Sequence, residues 1–423
     1  MLALNGGTPV NTKKFIWRST IDEQDEQAAL EVIKGKDLSG FYGSPGPRFL
    51  GGPKVKELDK VWADYFEVKY AASVNSATSG LYAAVAALGI GPGDEVIVAP
   101  LSMAISAVCV LAYGAIPVFA DLEPDYFCLD PKSVEEKISE NTKAIIVVDL
   151  LGGAADLDPI MDIAKRHNLK VIEDNAQAPG ALYKGRKVGT IADIGVFSLN
   201  CHKAVQTGEG GVVVTNSEEY ARKIQLIRNH AESVVESGKD DLVNMLGWNY
   251  RLTEIQAAIG IIQLSKLKAA NDWKVERAQY FNEVLSQFSF LQTPKVRPDC
   301  THVYYLYMLK YDSSVLGVDR NTFVKALNAE GYGASFGYVK PIYLLPVFQE
   351  KIAIGRDGWP FTSSERGKAM KYEKGLCPVA EKHHFEQMFY PDLIRYEIDK
   401  TDIDTFATAI SKVAEHSSVL KAA

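Results

Sequence analysis

Short apolar runs punctuate the first half of the chain: Glu95-Val96-Ile97-Val98, Ile116-Pro117-Val118-Phe119, Ala144-Ile145-Ile146-Val147-Val148 and Lys170-Val171-Ile172. Val and Ile follow one another without polar alternation, which predicts strands covered on both faces, as in a parallel sheet. The run Gly195-Val196-Phe197-Ser198-Leu199 has the same character. Between the runs lie helical stretches with clear start signals. Asp130-Pro131 and Asp158-Pro159 each offer an N-cap followed by proline at the first helical position. Asn168 closes the helix that begins at Pro159, directly before the next strand. Asn75-Ser76-Ala77-Thr78-Ser79-Gly80-Leu81 joins another strand to a helix over Leu81–Leu88. From about residue 70 to residue 216 the chain reads as α/β with right-handed crossovers.

The pattern then changes. From Ile255 to about Phe288 the residues favour helix, and Ile255, Ile259, Ile262 and Leu267 form an apolar stripe; a helix of that length can bridge two domains. The last third carries strand-like pieces, such as Val303-Tyr304-Tyr305-Leu306-Tyr307-Met308-Leu309, and helices near 320–330 and 402–415. This predicts a large domain over residues 1–280, including the linking helix from about 255, and a smaller α+β domain over 281–423. The Gly- and Pro-rich stretch from Gly40 to Gly52 reads as an ordered loop, because Phe41, Tyr42 and Phe49 lie inside it.

Composition narrows the function. A chain of 423 residues exceeds one ordinary core. Its 47% hydrophobic and 23% charged content is that of a soluble globular protein. No apolar run approaches the roughly 20 residues that span a bilayer, and the first residues lack the basic start and apolar core of a secretion signal. A net charge of -7 with scattered Lys and Arg argues against nucleic acid. The five cysteines are odd in number and widely spaced, without a Cys-x-x-Cys pair, and no His-Glu-x-x-His occurs. Reduced thiols in a cytoplasm, with no bound metal, are therefore expected.

Candidate chemistry gathers at the strand ends. Lys203 follows the run 195–199 and precedes the turn Thr207-Gly208-Glu209-Gly210-Gly211. Asp174 and Gln177 follow the run ending at Ile172 and Glu173. A lysine, an acid and an amide so placed suit pyridoxal 5'-phosphate (PLP): the lysine forms a Schiff base, the acid keeps the pyridine nitrogen protonated, and the amide addresses the ring hydroxyl. Burial would lower the lysine pKa and supply the free amine such chemistry needs. The start of the helix after Asn75 offers free N–H groups and hydroxyls to a phosphate. Taken singly, each feature also has an ordinary structural explanation: a helix cap, a loop acid, a solvated lysine.

Together, the stretches Asn75–Leu81, Glu173-Asp174-Asn175-Ala176-Gln177-Ala178, Phe197-Ser198-Leu199-Asn200-Cys201-His202-Lys203, Thr207–Gly211 and Gly247-Trp248-Asn249-Tyr250-Arg251-Leu252-Thr253-Glu254-Ile255-Gln256-Ala257-Ala258 resemble the DegT/DnrJ/EryC1/StrS aminotransferases, in order and spacing. The resemblance implies a fold type I PLP-dependent transferase, with a mostly parallel sheet in the large domain. It implies that Lys203 is the Schiff-base lysine, that Asp174 partners the pyridinium and that Gln177 contacts the ring hydroxyl. Ala77, Thr78 and Ser198 would hold the phosphate, joined by Asn249 of a neighbouring subunit in a homodimer with shared sites. Met103 stands where family members usually stack an aromatic residue on the ring; sulfur packing on a ring is worth about 0.3–1.5 kcal/mol. Ala77 replaces a glycine, Asn200 replaces a histidine common in the family, and Tyr305 replaces the second histidine of a His-x-x-His-x-Tyr stretch that keeps His302 and Tyr307.

The family's dehydratase branch has histidine in place of the lysine, so Lys203 favours amino transfer. The expected reaction moves nitrogen from L-glutamate or L-glutamine to a keto sugar nucleotide or a cyclitol ketone, by a ping-pong cycle. Phe41, Tyr42, Arg48, Arg251, His302, Tyr338 and Tyr343 are candidates for substrate binding. Two alternatives share the scaffold: a synthase resembling the aminohydroxybenzoate synthases, and a non-catalytic PLP-binding regulatory protein.

Overall fold

A computed structural model describes residues 1–43, 46–231 and 246–421. Its centre is a seven-stranded sheet built from β1 (Tyr70–Val74), β2 (Glu95–Val98), β3 (Ile116–Phe119), β4 (Thr142–Val148), β5 (Lys170–Asp174), β8 (Ile194–Ser198) and β9 (Gly211–Thr215). A small hairpin, β6 (Leu182–Tyr183) with β7 (Arg186–Lys187), intervenes in sequence. The spatial order is β1-β9-β8-β5-β4-β2-β3. Strands β3, β2, β4, β5 and β8 run parallel, and β9 pairs antiparallel with both β8 and β1. All residues of β2, β3, β8 and β9 are buried, as the apolar runs of the first three predict.

A second, antiparallel sheet of order β10-β11-β13-β12 uses Leu291–Gln292, Leu309–Tyr311, Met388–Pro391 and Ala334–Phe336 respectively. It packs with the helices Arg320–Ala329 and Lys400–Glu415 into a separate core that includes Phe323, Phe389, Phe406 and Ile410. The helix Glu254–Leu285 joins the two cores. Its 32 residues span about 48 Å at 1.5 Å per residue. A capping box fixes its start, with Thr253 accepting from Gln256 N while the Gln256 side chain accepts from Thr253 N. Leu264 and Leu267 near its start pack beside Trp62 and Phe197, whereas Ala278, Phe281 and Leu285 enter the second core. The chain around Ile342, Phe348, Phe361 and Tyr372 returns to the core of the large sheet.

Several local expectations need correction. The helix after β1 spans Ala77–Ala87, starting four residues before Leu81, because Ser76 rather than a later residue caps it. The helix predicted from Pro159 spans Leu157–Arg166 with Asp156 at its cap; Asp158 instead pairs with Lys184 and Arg186. On the long helix, Ile255, Ile259 and Ile262 are only half-buried, and the face turned inward is Ala257, Gly260, Leu264 and Leu267. Small residues there let the neighbouring helix Pro53–Phe66 approach, with Leu58 against Gly260. Val303–Met308 is buried as its composition suggests, yet only Leu309–Tyr311 forms strand. In the loop from Gly40 to Gly52, Phe41 and Phe49 are buried and Tyr42 is exposed, while positions 44 and 45 lie outside the described residues.

Candidate active site

Carboxyl ends of parallel strands open onto a crevice in α/β sheets, and ligands bind there. Asp174 ends β5, Ser198 ends β8, and the helix Ala77–Ala87 begins where β1 stops. The loop after β8 carries Lys203 to the same place. A cavity of about 230 Å³ forms between them. It is lined by Ala77, Thr78, Met103, Asp174, Gln177, Ser198 and Lys203, the seven residues expected to hold the cofactor within one chain. Leu81 and Ile105 give it an apolar wall, and Tyr305 and Tyr338 reach it from the C-terminal third.

Lys203 is the centre of its electrostatics. Its ammonium makes no hydrogen bond or ion pair among the described residues, and it lies 4.2 Å from the centroid of the Tyr305 ring. Burial lowers its pKa to about 8; Asp174 opposes the shift and Arg395 adds to it. Asp174 is 4% exposed. Its Oδ1 accepts from Ala176 N at 3.1 Å and its Oδ2 from Ser106 Oγ at 3.3 Å. Burial still raises the Asp174 pKa, against the pull of that N–H, of Lys203 and of Ser106. A cation placed beside it would reverse the balance. Gln177 Oε1 accepts from Leu151 N at 2.9 Å, and Nε2 donates to Tyr338 Oη at 3.0 Å, leaving one amide hydrogen uncommitted.

At the helix start, Ser76 Oγ accepts from Ser79 N at 3.0 Å and Gly80 N donates to Ser76 O. The N–H groups of Ala77 and Thr78 find no acceptor among the described residues, so the helix presents two free donors and its positive end. Gly211 faces them. A Cβ there would lie 2.6 Å from Ala77 N, filling the cradle. These observations fit the donor set that a PLP molecule requires: free N–H groups and hydroxyls at one end, a buried carboxylate at the other, an uncharged-capable amine between. Gly211→Ala is therefore expected to lower affinity for added PLP at least about tenfold, read by fluorescence titration of the cofactor-free protein. Obstructing the backbone approach costs on the order of 1–3 kcal/mol, and unchanged affinity would place the phosphate elsewhere.

Other predicted residues fall outside this cavity. Asn249 is exposed, and among the described residues only its carbonyl is engaged, accepting from Asn75 Nδ2 at 3.3 Å. Arg251 donates to Asn229 Oδ1 at 3.0 Å. Phe41 is a core residue beneath the Arg228 guanidinium, and Arg48 engages Asp37 and Tyr42. Tyr343 belongs to the core, and His302 lies half-buried against another part of the chain. Tyr343 is fully buried and donates to Glu381 Oε1 at 2.5 Å. His302 packs against Gly153 and accepts at Nδ1 from Tyr304 N, with burial pulling its pKa down to about 3. Of the substrate candidates, only Tyr338 lines the cavity.

Three side chains at the site make contacts that the motifs do not announce. Ser106 supports Asp174, and lies 3.1 Å from Ser102 Oγ one helical turn before it; the Ser-x-x-x-Ser spacing is its only trace in sequence. Asn200 donates to Glu209 Oε1 at 2.9 Å and so occupies the cavity's other carboxylate. Tyr305 faces Lys203, although it is 102 positions away in the chain.

A large, mostly parallel sheet with its cavity at the carboxyl ends of the strands is the architecture that this chain shares with solved aminotransferases, the fold type I class of PLP-dependent transferases. The chain belongs to the DegT/DnrJ/EryC1/StrS aminotransferase family, whose pattern matches residues 44–365. It is 33% identical to an L-glutamine:2-deoxy-scyllo-inosose aminotransferase of Streptoalloteichus tenebrarius, with 100% of this chain and 99% of that protein aligned. It is 37% identical to the GDP-perosamine synthase of Caulobacter vibrioides over 70% of this chain and 79% of that one. The X-ray structure of an aminotransferase from Psychrobacter cryohalolentis superposes with a TM-score of 0.82 at 29% identity, covering 96% of this chain and 100% of that one. The protein is thus an aminotransferase. No described helix is long and apolar enough to cross a membrane, and no group of three or more His, Cys, Asp or Glu among the described residues is arranged to hold a metal.

Proposed function

We propose that the protein binds PLP in the cavity at Lys203 and moves the amino group of L-glutamine or L-glutamate to a ketone on a sugar nucleotide or a cyclitol. The observation that carries this reading is the largely buried Lys203 amine, unpaired among the described residues and with a lowered pKa, set beside Asp174 in one cavity. The relatives named for a cyclitol ketone and for a GDP-linked sugar support the acceptor class. PLP supplies an aldehyde for amines and a ring that takes up the electrons of a substrate carbanion. Lys203 accepts and returns a proton at Nζ. Asp174 holds positive charge at the ring nitrogen, and Gln177, oriented by Leu151 N and Tyr338, addresses the ring hydroxyl. Ala77, Thr78 and Ser198 hold the phosphate, and Met103 covers the ring.

The division into a large domain to about residue 280 and a small one beyond belongs to the same reading. Two hydrophobic clusters support it, with the chain near 342–380 folded back on the first. A homodimer in the cytoplasm completes it: Asn249 is exposed and outside its own cavity, so it is free for a neighbour's phosphate, and all five cysteines are unpaired. Mixing Asn249→Ala with Lys203→Ala subunits is expected to restore activity that neither variant has alone, because the heterodimer keeps one native site. No recovery in mixed, reannealed samples would exclude a shared site.

The donor and acceptor are tested together. L-glutamine or L-glutamate is expected to bleach the visible band of the PLP-loaded protein, and a keto sugar nucleotide or a cyclitol ketone to restore it. An aromatic product formed without net amino transfer would point to the synthase alternative. No spectral change with any amino donor would point to a binding protein.

A further inference from the structure

Behind the cavity lies a polar cluster that the amino-transfer reading does not use: Asp149, Glu173 and Asn175, all fully buried. Asp149 follows β4 directly, and its N–H donates to Asp174 O at 3.1 Å. Its Oδ1 accepts from Ala155 N at 3.0 Å, and its Oδ2 accepts from Asn175 Nδ2 at 2.9 Å. Glu173 stands beside it and accepts from the N–H groups of Gly189, Ile191 and Ala192. Two adjacent buried carboxyls do not both carry charge. Burial, then the Glu173 carboxylate, hold the Asp149 pKa well above the usual carboxylate range, whereas three N–H groups oppose the rise that burial gives Glu173. The proton of the pair therefore resides on Asp149.

The bond from Ala155 N to Asp149 closes the chain over a turn that its own residues disfavour. Leu151, buried at the centre of Leu150–Gly152, has a φ of 62°, in the left-handed region that leucine rarely adopts. Such a conformation persists only where the surroundings fix it. Two features of the cavity are set by this turn. Leu151 N donates to Gln177 Oε1 at 2.9 Å, which leaves Gln177 Nε2 to face Tyr338 and the cavity. Val303 N donates to Gly152 O at 2.8 Å and Leu306 N to Leu151 O at 3.3 Å, on either side of Tyr305. Asp149 itself does not line the cavity, so it acts there through the groups it holds.

We propose that Asp149 is a positioning residue for the cofactor: its carboxyl, bonded to Ala155 and Asn175, holds the turn Leu150–Gly152 so that Leu151 N aims Gln177 into the cavity. The proposal deepens the reading of this cavity as a PLP site and rests on it. A neutral acid has an isosteric amide, which separates positioning from charge. In Asp149→Asn the side-chain carbonyl still accepts from Ala155 N. Its N–H groups meet Glu173 and, once the Asn175 amide turns over, the Asn175 Oδ1 that otherwise has no partner. Asp149→Ala supplies neither contact.

PLP is titrated by fluorescence into cofactor-free wild type, Asp149→Asn, Asp149→Ala, Gln177→Ala and the double variant Asp149→Ala/Gln177→Ala. Asp149→Ala is expected to raise the PLP Kd about tenfold, the size of one misdirected hydrogen bond. Asp149→Asn is expected within about twofold of wild type. In the Gln177→Ala background, Asp149→Ala is expected to add less than about twofold, because residues that act through one contact are not additive. A residue that only stabilised the fold would add its full effect there. Should Asp149→Ala not fold, Asn175→Ala, which removes one of the two partners, replaces it in the same cycle with a rise of about fivefold. The proposal is overturned by a Kd within about twofold of wild type in Asp149→Ala or its replacement, by an Asp149→Asn as weak as Asp149→Ala, or by full additivity with Gln177→Ala. A wild type that binds no PLP defeats the reading of the cavity itself and takes the proposal with it.

Discussion

Lys203→Ala is expected to remove turnover and the visible absorbance of bound PLP together. Proton transfer by a positioned side chain is worth roughly 10²–10⁴-fold in rate, and under the proposed function Lys203 is also the covalent anchor, so the loss should exceed about 10⁴-fold in kcat. The electrostatics give the same residue a pH signature. With a pKa of about 8, roughly a tenth of the amine is unprotonated at pH 7, against about three parts in ten thousand for a lysine at its ordinary 10.5. That availability is obtained at the expense of stability. The folded pKa lies below the unfolded one, so between about pH 8 and 10.5 the unfolded chain binds more protons, and stability rises with pH across that window. Below pH 8 the cost is fully present, at most about 3 kcal/mol. Lys203→Met, which keeps an apolar stem against Tyr305, should therefore make the cofactor-free protein more stable at pH 7, and the gain should shrink as pH approaches 10.5. Urea melts of both proteins at pH 7 and pH 10 measure it. Lys274 titrates in the same range, so the difference between proteins, not the wild-type curve alone, is diagnostic. A gain that does not vary with pH would mean that Lys203 carries no buried charge.

Much of this arrangement is legible in the chain itself. Strands β2 and β3 match the predicted runs residue for residue, because a strand covered on both faces is apolar at nearly every position; Glu95, paired with Arg366, is the exception. The cavity residues of one chain are legible for a related reason. Short connections at the ends of neighbouring parallel strands bring Ala77, Asp174, Ser198 and Lys203 together without any long-range information. Legibility stops where side chains from distant segments decide. Tyr338 and Tyr343 look alike in sequence, yet one donates its ring to the cavity wall and the other is sealed under Glu381. His302 is withdrawn for the same reason: its burial depends on Gly153, 149 positions earlier. The aromatic run 303–308 satisfies a strand pattern, but residues 302 and 303 pair with the loop at Gly152–Gly153 instead of a strand, and the segment stays irregular. Arg18, Lys274 and Arg395, which line a small cavity beside Lys203, carry no motif at all. Their meeting follows from the pairing of residues 16–18 with 395–397, which no local pattern announces.

Asp174→Asn is expected to separate chemistry from folding. The amide is nearly isosteric with the carboxylate, and its surroundings accept it. Oδ1 can still accept from Ala176 N, and Nδ2 can donate to Ser106 Oγ, which has an alternative acceptor in Ser102 Oγ at 3.1 Å. No buried polar atom need lose its partner, so the penalty for an unsatisfied group does not arise. Because burial raises the Asp174 pKa in the empty protein, the folded state binds more protons than the unfolded one just above the ordinary carboxylate range. Ionised Asp174 thus costs stability as pH rises through that range, and the Asn variant should melt at the same temperature as wild type or higher at pH 7. Catalysis should behave oppositely. A buried carboxylate against a ring cation acts in a low dielectric, and removing one such preorganised partner typically costs about 10²–10³-fold in kcat, roughly 3–4 kcal/mol. The expected result is a variant with unchanged or raised Tm, a kcat lower by about 10³-fold, and a KM for the amino donor changed much less. Stopped-flow half-reactions with L-glutamate and L-glutamine, run beside thermal melts, measure all three. Wild-type kinetics in Asp174→Asn would remove the ring nitrogen from its partnership with this carboxylate, and a collapse in Tm would make Asp174 a structural residue instead.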